Sequence, residues 1–145
     1  MNFLDSLTIS STGLSAQRLR MNLISSNMAN VNTTRTENGE PYRRKDVVFE
    51  AVQEGDFKDV LAERMGAAEG GVKVAGIIED DKPFIEKYDP GHPDADENGY
   101  IRLPNVNIVE EMVNMISASR SFEANATAVS VTKDMAGAAL KIGES

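Results

Sequence analysis

The chain of 145 residues has no cysteine, no tryptophan, a single histidine and only 6% aromatic residues. Absence of cysteine excludes disulfides, thiol catalysis and Cys-ligated zinc, and it suits work outside the cytosol, where thiols oxidise. Scarce aromatics argue against a large compact core. No run approaches the roughly 20 apolar residues that a membrane span needs, so no membrane insertion is expected. The opening MNFLDSLTIS lacks a basic n-region and an unbroken apolar stretch, so it does not read as a secretory signal; export would need another route. A clustered basic stripe is missing too, and the Arg43-Arg44-Lys45 run is soon followed by acids. Nucleic acid is therefore not expected as a partner.

Negative charge is plentiful but uneven. Residues 1–36 carry three basic against one acidic side chain, a balance of +2. Residues 37–105 carry nine against seventeen, −8, and residues 106–145 three against five, −2, which together give the net −8 of the whole chain. The acid thus sits in the middle, while the two ends carry apolar stripes. Leu7, Leu14, Met21 and Met28 fall seven apart, widened by Leu4, Ile24 and Val31. Near the other end a 4-then-3 alternation runs through Ile108, Met112, Met115, Ser119, Phe122, Ala126, Val129, Lys133, Ala136 and Leu140, with Ile116 beside it. Spacings of 3 and 4 place side chains on one side of a helix.

The pattern predicts a helix over about 3–31, weakened at Gly13 and stopped by the Asn-rich segment Asn27 to Asn32 and Thr33-Thr34. There Asn tolerates the left-handed geometry that closes helices. Asn38-Gly39 reads as a tight turn. Extended segments are expected around Val47-Val48-Phe49, Val72–Ile78, Phe84–Tyr88 and Tyr100–Leu103, with a weak helix at Phe57–Met65. A long helix should start at about 107, with Asn107 as N-cap and Glu110 closing a capping box, and run to about 142 before Gly143. The expected fold class is α+β: long N- and C-terminal helices packed as a coiled-coil-like pair around a small β-containing insert. Its parts are residues 1–36, 37–104 and 105–145.

Candidate chemistry is thin. Asp94, Asp96 and Asn98 with Gly99 imitate the start of an EF-hand, but Asn105 stands where the bidentate Glu belongs and Pro93 where the entering helix should be. A lone His92 cannot build a zinc triad and reads as a loop cap or as the partner of an acid. Asp80-Asp81 and Glu110-Glu111 read as solvated acids, the second pair suiting the positive end of a helix dipole. No catalytic residue, cofactor or metal is expected. The rival readings are a calcium-binding module at 94–105, a hydrolase using Asp80, Asp81 or His92, and a free-standing coiled-coil module.

The terminal motifs Ser26-Asn27-Met28-Ala29-Asn30-Val31-Asn32-Thr33 and Glu111-Met112-Val113-Asn114-Met115-Ile116, followed by Ala118 to Asn125, resemble those of the flagellar axial proteins. Internal stretches narrow the resemblance to a proximal rod member. They are Glu37–Lys45, Tyr88–Tyr100 and Pro104-Asn105-Val106-Asn107. The resemblance implies a non-enzymatic structural subunit of the bacterial flagellar basal-body rod in the periplasm, which assembles with other rod proteins and copies of itself into a torque-transmitting helical tube. It also implies passage through the flagellar type III export apparatus without a cleaved signal. The expected assembly interface is Leu7, Leu14, Met21, Ile24, Met28, Met112, Met115, Ile116, Phe122, Val129 and Leu140. Asn27, Asn30, Asn32, Thr33, Glu123 and Asn125 are expected to anchor the helix end and the inter-helix hydrogen bonds.

Overall fold

The computed structural model describes residues 3–52 and 70–143. Helix α1 spans Phe3–Ala29 and helix α2 Ile108–Gly143. Between them lie strands β1 (Lys45–Ala51), β2 (Val72–Glu79), β3 (Ile85–Tyr88) and β4 (Tyr100–Leu103). The fold is α+β, two long terminal helices bracketing a small insert of antiparallel strands. The weak helix expected at Phe57–Met65 lies outside the described residues.

Each strand pair forms its own two-stranded sheet. β1 pairs with β2 from Lys45 opposite Glu79 to Ala51 opposite Val72, with a register shift between Val48 and Phe49. β3 pairs with β4 from Ile85 opposite Leu103 to Tyr88 opposite Tyr100. The turn at Asn38-Gly39 forms as expected, with Gly39 at φ +80° and its N–H donating to the Thr36 carbonyl at 2.9 Å.

α1 ends differently from the expectation. No non-glycine residue among those described has a positive φ, so no left-handed Asn closes the helix. Instead the Asn30 amide reaches back to the Ser26 carbonyl at 2.9 Å, and the Thr33 hydroxyl donates to Asn30 Oδ1 at 3.2 Å. The carbonyls of Asn27, Met28 and Asn30 are taken by the backbone N–H groups of Asn30, Val31 and Thr33 at 3.2, 3.4 and 3.0 Å, a tightened last turn that the two side-chain bonds brace. At the start of α2, Asn107 Oδ1 accepts the Val109 N–H at 3.0 Å, a working N-cap. Among the described residues Glu110 makes no bond back to Asn107; the Glu111 N–H donates to the Asn107 carbonyl at 3.0 Å.

α1 is the central element, with α2 along one side and the β1–β2 sheet along another. The helices run antiparallel, Asn27 lying opposite Glu111 and Gly13 opposite Asn125. Gly13, expected to be a weak point in the helix, has a packing reason. A Cβ there would stand 3.1 Å from the Asn125 amide, so glycine admits the partner helix at close range. The described residues that are fully buried all lie between positions 16 and 118, so packing is densest where the helix pair meets the insert.

Candidate functional site

Two features stand out: a buried polar junction, and an apolar flank of α2 that no described residue covers.

The junction is built on Asn27, which sits in the last turns of α1 with no exposed surface. Its Oδ1 accepts from the Lys45 N–H and the Tyr42 hydroxyl, both at 2.9 Å. Its Nδ2 donates to the Lys45 carbonyl at 2.8 Å and to Glu111 Oε2 at 3.1 Å. A carboxamide presents two donors and two acceptor lone pairs, and here all four meet partners. Glu111, also without exposed surface, is held on its other oxygen by Arg44 Nε at 2.7 Å. Arg44 turns a further nitrogen to Asp46 at 2.9 Å. Burial works against the guanidinium charge, but the hydrogen bonds and charges of Glu111 and Asp46 outweigh it, so the Arg44 pKa lies above its ordinary value.

Asn105 completes the junction. Its Oδ1 accepts the Arg44 N–H at 2.9 Å, and its Nδ2 donates to the carbonyls of Asp80 at 2.9 Å and Lys82 at 3.2 Å. Asn27, Arg44, Asn105 and Glu111 therefore tie together the end of α1, the start of β1, the segment after β2 and the first turn of α2. That buried Glu111 corrects the expectation of a solvated acid pair: Glu110 is exposed, whereas its neighbour is fully enclosed. One sequence signal could have found it. Glu111 lies on the same 4-then-3 progression as Met115, Ala118 and Phe122, a charged residue on an inward-facing stripe.

Beyond Glu111 the flank of α2 turned toward α1 runs through Met115, Ala118, Phe122, Asn125, Val129, Thr132 and Ala136, all buried or half-buried. Met115, Phe122 and Val129 belong to the expected stripe; Met112, Ile116 and Leu140 stand outside this seam, exposed. On α1, Ile24 is buried and Leu7, Leu14, Met21 and Met28 are half-buried. In the polar set Asn27, Asn30 and Thr33 make the bonds described, and Asn125 packs beside Gly13 while donating to the Ser121 carbonyl at 3.0 Å. Asn32 and Glu123 are exposed, whereas the Glu111 carboxylate does bond across to α1.

The uncovered flank of α2 carries Val109, Val113, Ile116, Val131, Met135 and Ile142, each at least half exposed. At about 100° per residue the six positions fall within an arc of about 100°, so they share one side. Val109 and Ala118 lie nine residues apart, two and a half turns, which sets this flank opposite the seam. A helix apolar on both sides is a helix meant for burial on both.

Asp96, Asp94, His92 and Asp80 each hold at least one hydrogen bond. Asp96 Oδ1 accepts the N–H groups of Asn98 and Tyr100, and Asp94 Oδ2 takes the Thr34 hydroxyl. His92 Nδ1 accepts the Asp94 N–H at 3.1 Å, a loop cap. Asp80 Oδ1 accepts the Lys82 N–H at 3.0 Å.

Comparison with known proteins agrees with the terminal motifs. Residues 7–35 match the family described as flagella basal body rod protein, and residues 97–142 the family described as flagellar basal body rod FlgEFG protein C-terminal. The chain is 48% identical to the flagellar basal-body rod protein FlgC of Borreliella burgdorferi, over 98% of each chain. It is 47% identical to that of Bacillus subtilis, over 99% of this chain and 100% of the relative. For Salmonella typhimurium the identity is 41%, with the same coverage. Relatives this similar over the full length, joined by matches that hold Asn27 on one side and Asn105 and Glu111 on the other, place the chain in the FlgC family of flagellar basal-body rod proteins.

Proposed function

We propose that the chain works as a structural subunit of the flagellar proximal rod, assembling with other rod proteins and with copies of itself through its terminal helices. The observation that carries this reading is the apolar flank of α2 opposite its own helix partner. That flank carries two exposed apolar clusters, Val109 to Ile116 and Val131 to Ile142, and exposed apolar clusters of this kind mark an association face. Interfaces that do not close on themselves generate helical assemblies, and a subunit in one must present two different faces. In this reading the α1–α2 pair is the tube wall and the acidic insert its outer face, and dense packing transmits torque with no bond made or broken. Leu7, Leu14, Met21, Ile24, Met28, Met112, Met115, Ile116, Phe122, Val129 and Leu140 supply the helix–helix and intersubunit contacts. The reading extends to passage through the flagellar type III export apparatus, with no signal cleaved, and to residence in the periplasmic part of the basal body.

The test replaces exposed residues only. Val113→Asp with Ile116→Asp should leave the melting temperature of the isolated chain nearly unchanged, because surface substitutions shift stability by about 0.5 kcal/mol or less. The same variant should be missing from purified basal bodies and should abolish swimming. Normal rod content with normal motility would refute the role of this flank.

A further inference from the structure

The β3–β4 hairpin turns one face inward, through Ile101, and the other to solvent. Strand alternation places Glu86, Tyr88, Tyr100 and Arg102 on the outer face. Tyr88 and Tyr100 are 63% and 45% exposed and meet edge to face with ring centroids 5.2 Å apart. Tyr88 rests against Gly99, whose φ of +80° and lack of a side chain make room for the ring: a Cβ there would lie 2.9 Å from it. The aromatic pair is thus held by the turn rather than left to swing.

Beside the pair runs a groove of about 540 Å³ lined by Glu86, Asp94, Asp96, Asn98, Tyr100 and Arg102. Its walls are charged rather than apolar, unlike those of most small-molecule sites. Three carboxylates face one guanidinium, which leaves two net negative charges. The turn and Thr34 engage only one oxygen each of Asp96 and Asp94, so both carboxylates retain accepting capacity. Glu86 and Arg102 are cross-strand partners, yet they form no ion pair with each other or with any described residue. Among the described residues no three acidic or histidine side chains converge closely enough to hold a metal ion. The carboxylates are spread along a surface, as a partner's side chains would require.

We propose that this outer hairpin face docks a lysine- or arginine-bearing segment of a neighbouring protein subunit. The partner cation lies between Glu86 and the free oxygens of Asp94 and Asp96, while the tyrosine rings supply contact area and a cation-attracting face. Tyrosine and arginine are residue types that dominate binding energy at interfaces. The surface is separate from the apolar flank of α2, and the proposal rests on the rod reading for the neighbour's presence.

The experiment places a photoreactive benzoylphenylalanine at position 88 of the full-length chain in flagellated cells. Basal bodies are purified after illumination and the crosslinked peptide is sequenced. The expected peptide belongs to another protein subunit and carries Lys or Arg beside the attachment point. Adding Glu86→Lys should cut crosslink yield about fivefold or more, the effect of roughly 1 kcal/mol at a rim charge. Glu97→Lys, the same charge change at a residue outside the groove lining, should leave the yield unaltered. Crosslinks to a segment without basic residues, to a non-protein component, or to nothing would overturn the proposal, as would an unchanged yield with Glu86→Lys. The rod reading is scored separately by the amount of unmodified chain in the same basal bodies.

Discussion

Glu111 and Arg44 bond at 2.7 Å with the carboxylate wholly out of solvent, a geometry in which losing either partner strands a charge. Truncating one side of a buried ion pair typically costs about 3–5 kcal/mol, whereas replacing both by apolar residues of similar size is often neutral or stabilising. Glu111→Ala should therefore lower urea-unfolding stability by about 3–5 kcal/mol, and the double variant Arg44→Met with Glu111→Leu should recover only part of that loss, because the Asn27 Nδ2 hydrogen that pointed at Glu111 stays buried without an acceptor. If the pair serves to fix the insert on the helices, the double variant will still fail to restore motility. Arg44 brings no pH dependence in the working range. Its folded pKa is raised, so its contribution is complete below the ordinary arginine value and is lost only as pH climbs through the still higher folded one. Adjacent acids at a helix start gave no hint of this pairing except by position, because Arg44 arrives from 67 residues away in the chain.

At the scale of elements, the helices and strands were legible because their signals are local: 3–4 spacing, an Asn cap, a turn at Asn38-Gly39, and β-branched runs. The face that α2 turns inward was not. Apolar residues ring that helix, so Met112 and Met115 were equally plausible as seam positions. Two small residues and one buried acid decided it: Gly13 admits Asn125, Ala118 has no exposed surface, and Glu111 must reach Asn27 and Arg44. The seat of the β1–β2 sheet on α1 depends likewise on one glycine. Gly71 has φ +123°, and a Cβ on it would lie 2.8 Å from Thr12 Oγ1. That oxygen is already fixed, accepting the Val72 N–H at 3.2 Å while its hydrogen goes to the Ile9 carbonyl at 2.7 Å. Gly71→Ala should cost at least about 2 kcal/mol through backbone strain and the displaced hydroxyl. Gly76→Ala, inside β2 where nothing lies within 4 Å, is the control and should be close to neutral in the same unfolding measurement.

The molecule as a whole is graded along its length. Its junction end joins α1, the insert and α2 through buried Asn27, Asn105 and Glu111, and Ile24, Ile101 and Val106, each buried, lie within about one helical turn's length of sequence from one of them. At the other end the last turns of α2 keep half-buried Val129, Thr132 and Ala136 toward α1, while Val131, Met135, Leu140 and Ile142 face water. A helix stabilised mainly by packing loses that support where packing thins, and local opening then costs less than global unfolding. In the isolated chain, amides of residues 112–122 should exchange with deuterium at least roughly tenfold more slowly than those of 133–142. If the exposed flank is an assembly face, the difference should shrink once the chain is incorporated into basal bodies, because neighbours then cover the residues that the monomer leaves in water. Equal protection along α2 in the free chain would mean that the helix needs no neighbour to hold its shape. A gradient that survives assembly unchanged would mean that neighbours bind elsewhere, and the Val113→Asp with Ile116→Asp variant would then assemble normally.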